Sequence, residues 1–477
     1  MQAVDRLDRA LDHPAFAPEQ LAEWDRAEAF PAEACQVLDD FGLPAYYVPA
    51  AHGGTLTDFN ELVQLLRTVA RRDLTVAVAH GKTFLGAASV WVSGTPEQAT
   101  RVSERVRAGD VYSWALTERD HGSDLLAGEV AATKNGGWRL SGEKWLINNA
   151  TRGHAVCALV RTDPAGGARG HSLFLLDKTE LTDYRHLPKV PTHGIRGADI
   201  SGIAFDNALV PDDAVVGAVG SGIETVLKAL QLTRTMCVAL SLGAGDHALS
   251  LARRFVSDRA LYDRKLVDLP QVRRILDEAE VQLKLAEAVS VIAAGGVREF
   301  TAEMSVISAV AKAFVPGVVQ RVINRLAELM GLRGFLADEF AKLDRDHRIV
   351  GIFDGSTAVN RHSLITQFPR LARAYQAGKV SQPTGEFDPA NLRLSSPTGC
   401  SVLNVVNRGT DFGAAVEQVH EEMAAYTPSA RGVPASAFAL AERYELCFAG
   451  AAALHLWQDS DPDAVRVCLS HVLECLR

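Results

Sequence analysis

The run "IETVLKALQLTRTMCVALSLGAGDHA", Ile223 to Ala248, can be read in two ways, and the choice decides the fold. Its last six residues, Gly243 to Ala248, match the GxGxxA spacing of a dinucleotide-binding turn. That turn needs a strand before the glycines and a helix after them, so that a pyrophosphate meets a helix N-terminus. Here the pattern before the glycines is already helical, because Val226, Leu230, Thr233, Cys237, Leu240 and Ala244 share one face at a period of about 3.6 residues. The glycines therefore lie inside a helix, and the fingerprint is discarded.

Two more segments carry the same period: Val272, Leu276, Ala279, Leu283 and Ala286, then Ile307, Ala311, Phe314, Val318 and Val322. With a fourth helix beginning after Asp354, they predict a C-terminal four-helix bundle over residues 217–378. Residues 1–110 read as an N-terminal helical domain, with amphipathic segments such as "PAEACQVLDDFGL" and "NELVQLLRTVARR" broken by "VPAAHGGT". Over 111–216, short alternating runs separated by Gly, Asn and Asp turns predict a middle antiparallel β domain. "VSQPTGEFDPANLRLSSPTG", after Lys379, reads as a linker, and 390–477 as an additional helical region. That last pattern runs uncapped to Arg477, as in a helix that frays or a chain cut short. The class is α+β.

Composition narrows the function. Lys and Arg total 49 against 58 for Asp and Glu, a net charge of -9, and no basic run tracks a phosphate backbone, which argues against nucleic acid. The N-terminus "MQAVDRLDRALDHPAF" lacks the apolar stretch of a signal peptide, and no window suggests a membrane span, so a cytoplasmic protein is expected. The seven cysteines, at 35, 157, 237, 400, 447, 468 and 475, are scattered without metal-ligand spacing and are expected as free thiols. HExxH, GxxxxGK[ST] and GxSxG are absent. No metal is expected.

Five motifs carry more. "WALTERDHGSD" (114–124), "GEKWLINNA" (142–150), "SDRALYDRKL" (257–266), "ELMGLRGF" (328–335) and "RDHRIVGIFDGSTAVNR" (345–361) resemble, in order, the flavin and substrate motifs of the acyl-CoA dehydrogenase family. The resemblance runs from about residue 15 to 378 and leaves out the last hundred or so. It implies an FAD held without a Rossmann domain, between the β domain and the bundle, in a homodimer or homotetramer whose neighbouring subunit completes the adenine end. It also implies an acyl thioester on CoA or an acyl carrier protein as substrate, and an acceptor such as an electron-transfer flavoprotein.

Residue by residue, the resemblance places Leu116 and Thr117 at the pyrimidine side of the flavin, and Gly122 and Ser123 at the pyrophosphate, with Ser123 also meeting the acyl carrier. Leu146, Ile147 and Asn148 fall beside the ring, while Arg259, Gln271, Glu328, Gly331, Ser356 and Ala358 fall along the rest of FAD. Gln231, Arg234 and Gly355 fall at the substrate. Asp354 takes the place of the base that removes the α-proton while hydride leaves the β-carbon. Taken alone, "TERDHGSD" is also a polar turn and Asp354-Gly355-Ser356 also a turn and helix cap.

Departures from the family pattern keep other outcomes open. Asp354 replaces a Glu, withdrawing the carboxylate by about 1.5 Å, when a misplacement near 1 Å can cost about a hundredfold in rate. Thr233, at the family's alternative base position, cannot take the proton. Asn148 stands for Thr or Ser, Leu146 for an aromatic that Trp145 could replace, Glu328 for Gln, Leu332 for Gly, Tyr262-Asp263 for Phe-Gly, Ala358 for an amide and Gln231 for an acid. The same fold with a redox-neutral or oxygenating flavin reaction, or a flavin-free assembly protein, are the alternatives to a dehydrogenase.

Overall fold

The computed structural model describes residues 2–261, 263–383, 385–429 and 432–477; Tyr262, singled out above, lies outside them. The chain forms two compact units, Met1–Leu65 with Thr75–Thr233, and Leu66–Leu74 with Arg234–Arg477.

The first unit begins with helices α1 (Gln2–Ala10), α2 (Pro18–Ala27), α3 (Ala32–Phe41), the first half of α4 (Phe59–Arg72), most of α5 (Leu74–Gly81), α6 (Thr83–Ser93) and α7 (Pro96–Arg107); the second half of α4 belongs to the second unit. Local chemistry sets their ends: Thr95 and Gln98 form a reciprocal capping box at α7, and Pro96 opens the helix where its missing N–H costs nothing. Then come β1 (Tyr112–Ala115), β2 (Ala131–Lys134), β3 (Trp138–Asn148), β4 (Ala155–Arg161), β5 (His171–Asp177), β6 (Tyr184–Leu187), β7 (Ile200–Val210) and β8 (Val215–Val216). They make one sheet in the order β6-β7-β3-β2-β4-β5-β8, with β1 on β4. Its core is apolar, with Leu140, Val156, Phe174, Ile203 and Phe205 buried among the inward faces. The sheet is not purely antiparallel as expected, since β1 and β2 both pair with β4 in parallel. Alternation of side chains reports which face is buried and not which way a neighbour runs. The β2–β3 hairpin occupies the connection that lets β1 and β4 run the same way.

The second unit holds most of α8 (Gly222–Asp258), a short hairpin β9 (Ala260–Leu261) and β10 (Arg264–Lys265), then α9 (Pro270–Glu299), α10 (Met304–Met330), α11 (Glu339–His347), α12 (Thr357–Ile365), α13 (Phe368–Gln376), α14 (Asp411–Ala425), α15 (Ala435–Trp457) and α16 (Pro462–Leu476). The discarded fingerprint glycines turn out to be packing residues. A Cβ on Gly243 would come within 2.6 Å of Arg67 O and Ala70 Cβ, and one on Gly245 within 2.6 Å of Leu283 Cδ2. The segment brought close by Gly243 is locked by Arg67, which forks onto Asp246 at 2.7 and 3.0 Å and reaches Glu287 at 2.7 Å. The fourth bundle helix is two short ones, because Pro369 starts a new helix in the first turn of α13.

Two further expectations are corrected. The stretch Thr301–Phe335 has the length and composition of a membrane span, and 83% of its apolar window is buried inside the protein, as in the core helix of a bundle. The Pro/Ser/Gly-containing segment is not a loose linker. Leu392, Ser396, Val402 and Leu403 within and just beyond it are buried, and the fully buried Glu303 accepts from Ser401 N (2.7 Å), Ser401 Oγ (2.6 Å) and Thr398 Oγ1 (2.6 Å). All seven cysteines are free thiols.

Candidate active site

In the second unit, Asp354 sits in a turn between α11 and α12 with φ +56°, and Gly355 follows at +88°. The left-handed region is costly for most side chains but comparatively open to Asp and Asn, whose short polar groups bond locally. Glycine enters that region freely, whereas Asp354 is held there by its neighbours. Arg234, buried on α8, donates from Nε to the Asp354 carbonyl at 3.2 Å. One helical turn later, the buried Cys237 donates its thiol to Asp354 Oδ2 at 3.0 Å. Lys312, fully buried on α10, donates to Val350 O at 2.7 Å and Gly355 O at 3.2 Å. Asn360 donates to Gly355 O at 2.8 Å and Ser356 O at 3.0 Å. A Cβ on Gly355 would come within 3.2 Å of Arg234 Nη2 and of Asn360 Nδ2, so the glycine serves both conformation and space.

The charge balance is compact. Burial pulls the Arg234 guanidinium down to about 10, with Asp354 and Cys237 acting in the other direction, so it stays cationic at neutral pH. Ser356 spends its hydroxyl on the cap of α12, accepting from Val359 N at 3.3 Å. Ala358 is exposed on the first turn.

In the first unit, Leu116 and Thr117 leave β1 beside the bulged strand β3, where Trp145 N donates to Thr117 O at 3.0 Å. The loop after them is anchored by a buried ion pair, Lys144 Nζ to Glu118 Oε1 at 2.7 Å, and the Glu118 carboxylate also accepts from Glu129 N (2.6 Å) and Val130 N (3.1 Å). Gly122 and Ser123 are exposed on that loop. The bulge puts Leu146 at φ +56° and 40% exposed, with Ile147 turned into the core. Trp145 lies beneath Arg119, 4.7 Å from the ring centroid.

Asn148 is the informative residue here. Both its amide nitrogen and its amide oxygen are buried without a hydrogen-bond partner among the described residues, as is Trp114 Nε1 on the neighbouring β1. An unmet buried polar group costs about 1–3 kcal/mol. A flat heterocycle edged with donors and acceptors would satisfy a carboxamide presenting both, so the residues present fit a flavin.

Gln231 is buried on α8, one turn before Arg234. Arg259, Gln271 and Gly331 are exposed. Glu328 is paired with Arg325 at 2.5 Å, which turns the acid onto its own helix. Leu332 and Phe335 are 76% and 85% exposed. The sequence reading did not assign Lys312, Asn360 or a role for Cys237 at the turn. The one lysine within the apolar "VISAVAKAFVPGVV" is the signal that could have exposed Lys312, since a lysine is almost never fully buried without partners.

Comparison with known proteins identifies the family. Family profiles described as acyl-CoA dehydrogenase N-terminal, middle and C-terminal domains match residues 14–110, 113–208 and 220–367. A Mycobacterium tuberculosis protein described as a probable acyl-CoA dehydrogenase is 28% identical over 356 residues, covering 74% of this chain and 91% of that one. The fold of an acyl-CoA dehydrogenase from Bacillus anthracis, solved in complex with FAD, superposes over 100% of this chain and 85% of its own, with TM-score 0.79 and 18% identity. A prolyl acyl carrier protein oxidase superposes over 77% and 97% of the two chains, with TM-score 0.71 and 20% identity. This chain belongs to the acyl-CoA dehydrogenase family of FAD-dependent oxidoreductases.

Proposed function

We propose that the protein oxidises an acyl thioester between its α and β carbons, with Asp354 as the base that removes the α-proton. The observation that carries this reading is the Asp354 turn, a carboxylate residue held in a left-handed conformation by groups from α8, α10 and α12. Non-glycine residues held in the left-handed region by several contacts cluster at functional sites. FAD, when bound, accepts the hydrogen that leaves the β-carbon with its electron pair. The chain's own contribution is orientation. Arg234, Lys312 and Asn360 fix the turn's backbone, and Cys237 fixes the direction of the carboxylate. Asn148 offers a donor and an acceptor to the flavin from β3.

The shortened side chain is consistent with a substrate whose α-carbon lies nearer the turn than a Glu would require. Exposed Arg259, Gln271, Leu332 and Phe335 suit contact with a second copy of the chain, and the reduced flavin would be reoxidised by an acceptor such as an electron-transfer flavoprotein. CoA and acyl carrier protein both remain as carriers to be tried. An anaerobic titration of the purified yellow protein with acyl-CoA and acyl-carrier-protein thioesters tests the reading. Bleaching supports dehydrogenation, exchange of α-protons without bleaching supports a redox-neutral reaction, and colourless protein rejects both.

A further inference from the structure

The family profiles end at residue 367, yet the chain continues for three more long helices. Their attachment is specific. Arg361, one turn into α12, donates from Nε to Glu445 Oε1 at 2.8 Å and from Nη2 to Glu445 Oε2 at 3.0 Å. Glu445 lies on α15 and is 2% exposed, and Arg361 also meets the more exposed Glu442. Tyr444, Cys447 and Phe448, beside Glu445 on the same helix, are fully buried, and α15 packs on α9, α10 and α12. A second anchor, Glu303, holds the segment that leads into these helices but touches none of the Asp354 turn.

We propose that Glu445 is a positioning residue for Asp354, so that the region beyond the family match is a working part of the active site. A two-point fork between a planar guanidinium and a buried carboxylate fixes rotation as well as distance, which a single ion pair does not. Arg361 is five residues beyond Ser356, whose hydroxyl caps α12 and whose carbonyl, with that of Gly355, is bound by Asn360 of the same helix. Rotation of α12 is therefore transmitted to the turn that carries Asp354. The proposal rests on Asp354 being the base.

The test uses full-length, FAD-loaded protein with straight-chain acyl-CoA thioesters, together with amide hydrogen exchange, which needs no substrate. Glu445→Gln is expected to speed amide exchange of residues 350–365 at least tenfold and to lower kcat about tenfold with KM and FAD content unchanged. Because a lone buried charge can unfold a protein on its own, Arg361→Gln/Glu445→Gln is the paired variant; it removes both charges and is expected to reproduce the lower kcat. Glu303→Gln is the structural control, expected to loosen residues 396–405 while leaving kcat of the folded protein as it was. Wild-type kcat and wild-type protection of 350–365 in both Glu445 variants overturn the proposal. Asp354→Asn separates the two layers. If that variant is inactive while the Glu445 variants are fully active, only the positioning role fails. If it keeps full activity, the assignment of the base fails, and the role of Glu445 with it.

Discussion

The thiol of Cys237 donates to Oδ2 of Asp354 at 3.0 Å, across a sequence separation of 117 residues. A typical hydrogen bond contributes about 0.5–1.5 kcal/mol, and even the weaker donor of a thiol biases a two-bond side chain towards one orientation. Cys237→Ala is expected to lower kcat about tenfold with little change in KM, and Cys237→Ser, which keeps a donor, to recover most of it. Steady-state kinetics on the three proteins checks this, and equal kcat in all three would remove the thiol from the account.

Lys312 ties α10 to both ends of the turn through Val350 O and Gly355 O. Lys312→Met keeps an unbranched apolar stem, one heavy atom shorter, and leaves two carbonyls without that donor. A loss of about 1–3 kcal/mol in unfolding free energy is expected, with a larger fractional loss of turnover than of FAD. Urea denaturation measures the first, and steady-state turnover alongside flavin content the second.

His347 gives the protein an acid-sensitive point. Burial pulls its imidazole from the usual 6.5 down to about 3, and the neutral ring matches its surroundings, Gln320 Oε1 at 2.8 Å and Ser241 Oγ at 3.0 Å. Asp344 favours its protonation, while Arg348 and Lys312 oppose it. Below pH about 6.5 the unfolded chain takes up a proton that the folded chain refuses, so stability falls as pH drops from about 6.5 towards 3. His347→Gln is expected to flatten the dependence of the urea midpoint on pH between 7 and about 4; an unchanged slope would assign the acid loss elsewhere.

Arg259 stands exposed beside the β9–β10 hairpin. If it meets FAD held by a second copy, Arg259→Ala lowers flavin retention on gel filtration and does so more strongly at low protein concentration. Retention equal to wild type at all concentrations would count against a shared site.

Much of the fold was legible because burial in long helices repeats. The seams through Val226, Val272 and Ile307 are core, and Gly243 and Gly245 proved to be helix-packing glycines once their surroundings were seen. Strand direction was not legible, because the parallel pairing of Tyr112 with Ala155 leaves no mark on the alternation of either strand. The segment after Lys379 misled because composition reports flexibility, whereas Glu303, far away in sequence, supplies its order. Asp354 came from its motif. Its supports did not, since Cys237 reads as one more apolar residue on a seam, and only the turn's left-handed backbone brings its carboxylate to the sulfur.

The most direct test is Asp354→Asn, a nearly isosteric change that removes the base and leaves acceptors for Cys237 and Arg234. Exchange of thioester α-protons with deuterated solvent, followed by mass spectrometry on FAD-loaded protein, reports the proposed step alone. The account predicts at least a thousandfold slower exchange with FAD content and stability close to wild type. Exchange at the wild-type rate would contradict it.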